Sequence, residues 1–97
     1  MMAIGDFVVS VSGHDKSDVY VVIGLSPDRL QLVDGKAHKM DRPKQKNYRH
    51  VRQLQTNDPS LTEKLCGDQW VSDSEIRRSI KKVVTELGNQ EGGKTLV

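Results

Sequence analysis

Seven cationic residues fall between Lys36 and Arg52: Lys36, Lys39, Arg42, Lys44, Lys46, Arg49 and Arg52, opposed only by Asp41. His38 and His50 lie among them, and Tyr48 adds an aromatic ring. Ammonium and guanidinium groups at this density repel one another unless an anionic partner neutralises them. The chemistry on offer is therefore the binding of a polyanion through its phosphates. Tyr48 could stack on a base or fold into the core, and His50 and His38 could each contact a phosphate or base or serve the structure.

Other chemistry finds little footing. Cys66, His14, His38 and His50 never approach the paired spacing of a zinc site. Cys66 as a nucleophile would need a positioned base, and at the end of a short helix it reads more simply as a small buried hydrophobe. The six aspartates of the first half sit mostly at turns or strand ends, where they hydrogen-bond the backbone, and no carboxylate pair stands out. Gly92-Gly93-Lys94-Thr95 lacks the preceding strand of a phosphate-binding loop. Neither an enzyme nor a cofactor is expected.

The elements that must position the cations come from a short chain. Ninety-seven residues make one domain, with 35% hydrophobic and 29% charged residues. The longest apolar run, Val19 to Ile23, is far below the roughly 20 residues of a spanning helix, so no membrane association is expected. A single cysteine and the lack of a secretory leader favour the cytoplasm. The net charge of +2 conceals a division. Residues 1–56 hold nine Lys/Arg against six Asp, whereas residues 57–97 hold six Lys/Arg against seven Asp/Glu.

The first half reads as strands. It contains eight of the twelve valines and two alanines. Phe7, Val9 and Val11 alternate with Asp6, Ser10 and Ser12 as in a half-buried strand, with a break at Val8, while Val19 to Leu25 is continuous and implies a strand covered on both faces. Leu30 and Leu32 alternate with Arg29 and Gln31, and Asp34-Gly35 then signals a hairpin, pairing residues 29–33 with 36–41. The spacing of Ala37 and Met40 suggests a bulge within 36–39. A basic loop, Lys44 to Lys46, leads to a last strand over 48–54. Five short strands joined by tight turns are most economically closed into a small barrel.

The second half is helical. Asn57 or Asp58 caps a short helix ending near Cys66 and Gly67. Ser72 and Glu75 form a capping box, with Val71 and Ile76 as the hydrophobic staple. Ile76, Ile80, Val83, Val84 and Leu87 then follow at helical spacing, opposite Arg77, Arg78, Lys81 and Lys82. Trp70 is expected to anchor the packing and Gly88 to stop the helix. The chain thus divides into a barrel over 1–56, a helical extension packed on it over 57–88, and a flexible tail over 89–97.

Gly5-Asp6-Phe7-Val8-Val9-Ser10-Val11-Ser12-Gly13-His14-Asp15-Lys16 and Val19-Tyr20-Val21-Val22-Ile23 resemble the KOW motif. In it, a glycine-led strand ends on a second glycine and a lysine precedes the next strand. Gly13 would supply a left-handed turn, and Lys16 would project from that turn toward a phosphate. Ser17 stands where the motif generally has glycine. The likeness runs through Asp34-Gly35 and the Pro43 to Lys46 stretch. It is nearest to KOW proteins related to the SH3-like barrels of archaeal and eukaryotic large-subunit ribosomal proteins.

The resemblance implies a mainly β protein, an SH3-like five-stranded KOW barrel followed by a short helix and a C-terminal amphipathic helix. It also implies RNA binding within or beside the ribosome, with ribosomal RNA and ribosomal proteins as partners. Lys16, Lys36, Lys39, Arg42, Lys44, Lys46, Arg49 and Arg52 would contact phosphates, with His50 and Tyr48 adding shape or stacking; Gly5, Gly13, Asp34 and Gly35 would hold the backbone. The alternative is an SH3-like protein-docking module of a transcription or translation complex.

Overall fold

The computed structural model describes residues 2–67 and 69–96, with side chains through residue 88. Five antiparallel strands and two helices follow one another along the chain: β1 (Phe7–Ser10), β2 (Val19–Leu25), β3 (Arg29–Val33), β4 (Lys44–Asn47), a 3-10 helix (Tyr48–His50), β5 (Val51–Gln53), α1 (Pro59–Cys66) and α2 (Asp73–Leu96). The strands form one sheet in the order β4-β3-β2-β1-β5. The protein is mainly β with appended helices.

The continuous apolar run of β2 is central and buried on both faces. Val21 joins Phe7, Val33, Leu61, Val71, Ile76 and Val83 in one core cluster. Tyr20 and Val22, on the opposite face, join Val8, Leu30, Leu32 and Val51 in another. The first face is covered by α1 and α2, so the two halves of the chain share a core. The second is covered by curvature of the sheet itself. Only the three residues of the 3-10 helix separate Asn47 of β4 from Val51 of β5. Four steps of chain span at most about 14 Å, whereas five flat strands spaced at about 4.8 Å would be about 19 Å wide. The two edges must therefore bend toward each other. Among the described residues no pairing joins β4 to β5, so the sheet is curled but not closed.

The hairpin expected at Asp34-Gly35 takes a different course. Gly35 has the positive φ of +76° that the turn demands, but residues 36–41 are not a strand. The Asp34 carboxylate accepts from the N–H groups of Lys36 and His38, both at 2.9 Å, and folds the chain into a local loop. Residues 36–39 include no β-branched side chain that would favour extension. The partner of β3 is instead Lys44–Asn47, which includes the expected basic loop, with Leu30 opposite Lys46 and Leu32 opposite Lys44. The bulge lies not in 36–39 but between Val22 and Gly24 of β2. Of the strand expected over 48–54, the first three residues are the 3-10 helix.

Helix starts follow the local chemistry. Asp58 caps α1 by accepting from the Leu61 N–H, with Pro59 next to it. The Ser72 hydroxyl accepts from the Glu75 N–H at 3.1 Å to start α2, and Val71 and Ile76 are buried together as the staple. Three expectations here need correction. Trp70 does not anchor the packing but is 83% exposed, because its neighbour Val71 takes the inward direction. Cys66 is exposed, since Leu61 and Leu65, one helical turn apart, occupy the inner face of α1. Gly88 does not stop α2, whose backbone continues to Leu96; one interior glycine costs only about 1 kcal/mol. Val97 and the side chains of residues 89–96, the segment expected to form a flexible tail, lie outside the described residues.

Candidate nucleic-acid interface

The β1–β2 turn is built around Asp15. Its Oδ1 accepts from the Ser10 hydroxyl at 2.9 Å and from the Lys46 ammonium at 2.9 Å. Its Oδ2 accepts from the Tyr20 hydroxyl at 2.8 Å. Lys44 approaches the same carboxylate at 3.7 Å. Lys46 also donates to the Ser12 carbonyl at 3.2 Å, tying β4 to the turn across the concave face of the sheet. Burial works to raise the Asp15 pKa, but the Lys46 ammonium and the Tyr20 and Ser10 hydroxyls outweigh it and hold the carboxyl far below its ordinary range. The Tyr20 hydroxyl moves the other way, upward, through burial and its bond to the Asp15 anion. His38 lies beside the Tyr20 ring, with centroids 5.9 Å apart.

Two residues hold the turn in the left-handed region: Gly13 at φ +88° and Ser17 at φ +80°. Gly13 thus has the conformation expected of it. Ser17 occupies the position where the resembled motif carries glycine, and its backbone is one that glycine adopts without strain. Gly5, at φ +95°, is packed so closely on Thr62 that a Cβ would collide with that side chain.

Topology gathers most of the predicted contact residues. The β1–β2 turn and the β3–β4 loop leave the same end of the sheet. Val51 pairs with Ser10, and the Val11 N–H donates to the His50 carbonyl at 2.9 Å, so the beginning of β5 joins them. Lys16, Lys36, Lys39, Arg42, Arg49 and His50 are exposed on these segments. Lys44 is half-buried. Lys46, by contrast, is buried and occupied by Asp15. Tyr48 is half-buried against the second core cluster, and its hydroxyl donates to the Ser26 carbonyl at 2.8 Å. Arg52 is exposed but stands opposite Val9, on the other sheet face from Lys44 and Lys46.

Sequence reasoning missed the Asp15 network, which draws together residues 10, 15, 20 and 46. Nothing in the local sequence pattern signals it, because its members lie up to 36 residues apart. The helix also contributes more closely than its own pattern suggested. Arg77 donates to the Gly35 carbonyl at 2.6 Å, pinning the β3–β4 loop to α2. A groove of about 650 Å³ runs between the β1–β2 turn and α2, bordered by Ser17, Asp18, Lys36, Arg77 and Lys81. Arg78 and Lys82 border a different groove, with Asp58 and Glu75. Among the described residues no group of three His, Cys, Asp or Glu could hold a metal ion, and no helix is long and apolar enough to cross a membrane.

No protein-family model matches the chain, and no curated protein is significantly similar to it.

Proposed function

We propose that the chain is an RNA-binding module of the KOW kind, an SH3-like barrel with a helical annex that works on ribosomal RNA or the ribosome in the cytoplasm. The observation that carries this reading is the convergence of exposed Lys16, Lys36, Lys39, Arg42 and Arg49 at one end of the sheet. Of the acidic groups in their midst, Asp15 is already balanced by Lys46, and the exposed Asp18 and Asp41 are outnumbered by the five cations. The surface left over is cationic, mounted on loops held by a rigid sheet, and suited to the closely spaced phosphates of RNA. The motif resemblance over residues 4–55 and the left-handed Gly13 turn agree with it.

Gradient sedimentation of a cell lysate with and without RNase tests the proposal. Co-migration with ribosomal particles, lost after RNase or in high salt, is the expected result; a free small protein in gentle salt is the contrary one. Binding that survives nuclease would favour the docking-module alternative, for which the exposed apolar side chains of Leu25 and Val84 are the supporting observation.

A further inference from the structure

Trp70 is the sole tryptophan of the chain and is 83% exposed. It is mounted rigidly all the same. On one side Val71 is buried in the core, and on the other the Gln69 N–H donates to the Lys64 carbonyl at 3.2 Å. Facing it is Met40, whose N–H donates to Asp73 Oδ1 at 2.8 Å and so fixes the far end of the cationic β3–β4 loop against α2. Trp70, Met40, Val71, Gln69, Asp41 and Asp73 enclose an open groove of about 480 Å³.

An indole leaving most of its large apolar surface in water, on a backbone tied at both neighbours, is arranged to receive a flat partner. The charge pattern restricts which part of a ligand can enter. Asp41 and Asp73 line the groove and repel a phosphate, while Lys39 and Arg42, exposed on either side of Asp41 in the chain, attract one beside it. A nucleotide meets both demands at once, with its base in the groove and its phosphate on the loop. The thioether of Met40 supplies a polarisable wall.

We infer that Trp70 is a stacking platform for an unpaired base of single-stranded RNA whose backbone follows the cationic β3–β4 loop. This inference rests on the RNA-binding reading and adds to it a second, uncharged mode of contact.

The full-length protein is titrated with single-stranded eight-nucleotide RNAs and, separately, with sodium polyphosphate, which presents phosphates but no bases. Binding is followed by the anisotropy of labelled RNA, and stacking by the intrinsic fluorescence of Trp70. RNA should quench the indole strongly and polyphosphate should not. Trp70→Ala should weaken RNA binding by about 5- to 160-fold, the range of one base stack, with an unchanged salt dependence, while Trp70→Phe should retain most of the affinity. RNA binding without quenching, or with full affinity in Trp70→Ala, overturns the stacking inference and leaves the RNA-binding reading standing. Absence of RNA binding overturns both. Self-association through this groove, seen as a concentration-dependent blue shift of the indole together with dimers in ultracentrifugation, also overturns it.

Discussion

The Lys46 ammonium lies 2.9 Å from Asp15 Oδ1, across 31 residues of chain, with both side chains about nine-tenths buried. The pair joins an edge strand to the β1–β2 turn and removes one cation from the surface that RNA would meet. Lys46 is thereby a structural residue first, and the local charge excess of residues 36–52 overstates the cations free for phosphate.

Removing one partner should cost more than a surface ion pair does. Asp15→Asn leaves the Lys46 ammonium facing a neutral amide, and stability at neutral pH should fall by about 3 kcal/mol. Denaturant unfolding of the variant and the parent measures the difference.

The same carboxyl sets a pH dependence. Its folded pKa lies below the unfolded value of about 3.9, so its stabilisation is complete above that value and is lost as pH falls through the window toward the folded pKa. Asp58, lowered despite its burial by the Ser79 hydroxyl and the Leu61 N–H, acts with the same sign. Unfolding free energies measured from pH 7 to pH 2 should therefore fall below about pH 4 in the parent, and less steeply in Asp15→Asn.

Ser17 offers a gain. Its φ of +80° is strained for a residue with a Cβ, and Ser17→Gly should stabilise the protein by about 0.5–1 kcal/mol after the entropy of the unfolded glycine is counted. Gly35→Ala should do the reverse, by about 2 kcal/mol: at φ +76° its Cβ would sit 2.5 Å from the Asp73 carbonyl oxygen. Thermal melts of the two variants should move in opposite directions.

Phosphate contacts and the buried pair separate by salt. Replacing Lys36, Lys39, Arg42 and Arg49 together with alanine should flatten the log-log salt dependence of RNA affinity by about 0.7–0.9 for each phosphate no longer neutralised, from a parent slope of at least about −3. Lys46→Met should instead lower stability while leaving the slope near the parent value.

What can be read from the residues is whatever depends on neighbours in the chain. Val19 to Leu25 announces a doubly covered strand, and Ser72, Glu75, Val71 and Ile76 announce the start of α2, because capping and staple contacts span only a few residues. The β3–β4 connection escapes for a reason of competition: Asp34 satisfies the Lys36 and His38 N–H groups locally, so the turn closes on itself and the strand partner is taken ten residues later. Trp70 escapes because a lone tryptophan is expected to be inside, whereas Val71 next to it takes the buried place at the start of α2. The Asp15 network joins residues that no local pattern connects. Within the cation set, exposure establishes none as a contact but separates Lys46 and half-buried Lys44 from the six others.

The open seam between β4 and β5 would, in most proteins, invite another chain to add a strand. Here the edges are only four and three residues long, and Lys44 and Arg52 place charge beside them. Short, charged edges discourage ladder formation between copies. Charge at Lys44 and Arg52 thus works against edge-to-edge pairing before any partner is bound, and a variant stripped of these two cations should be judged for solubility as well as for affinity.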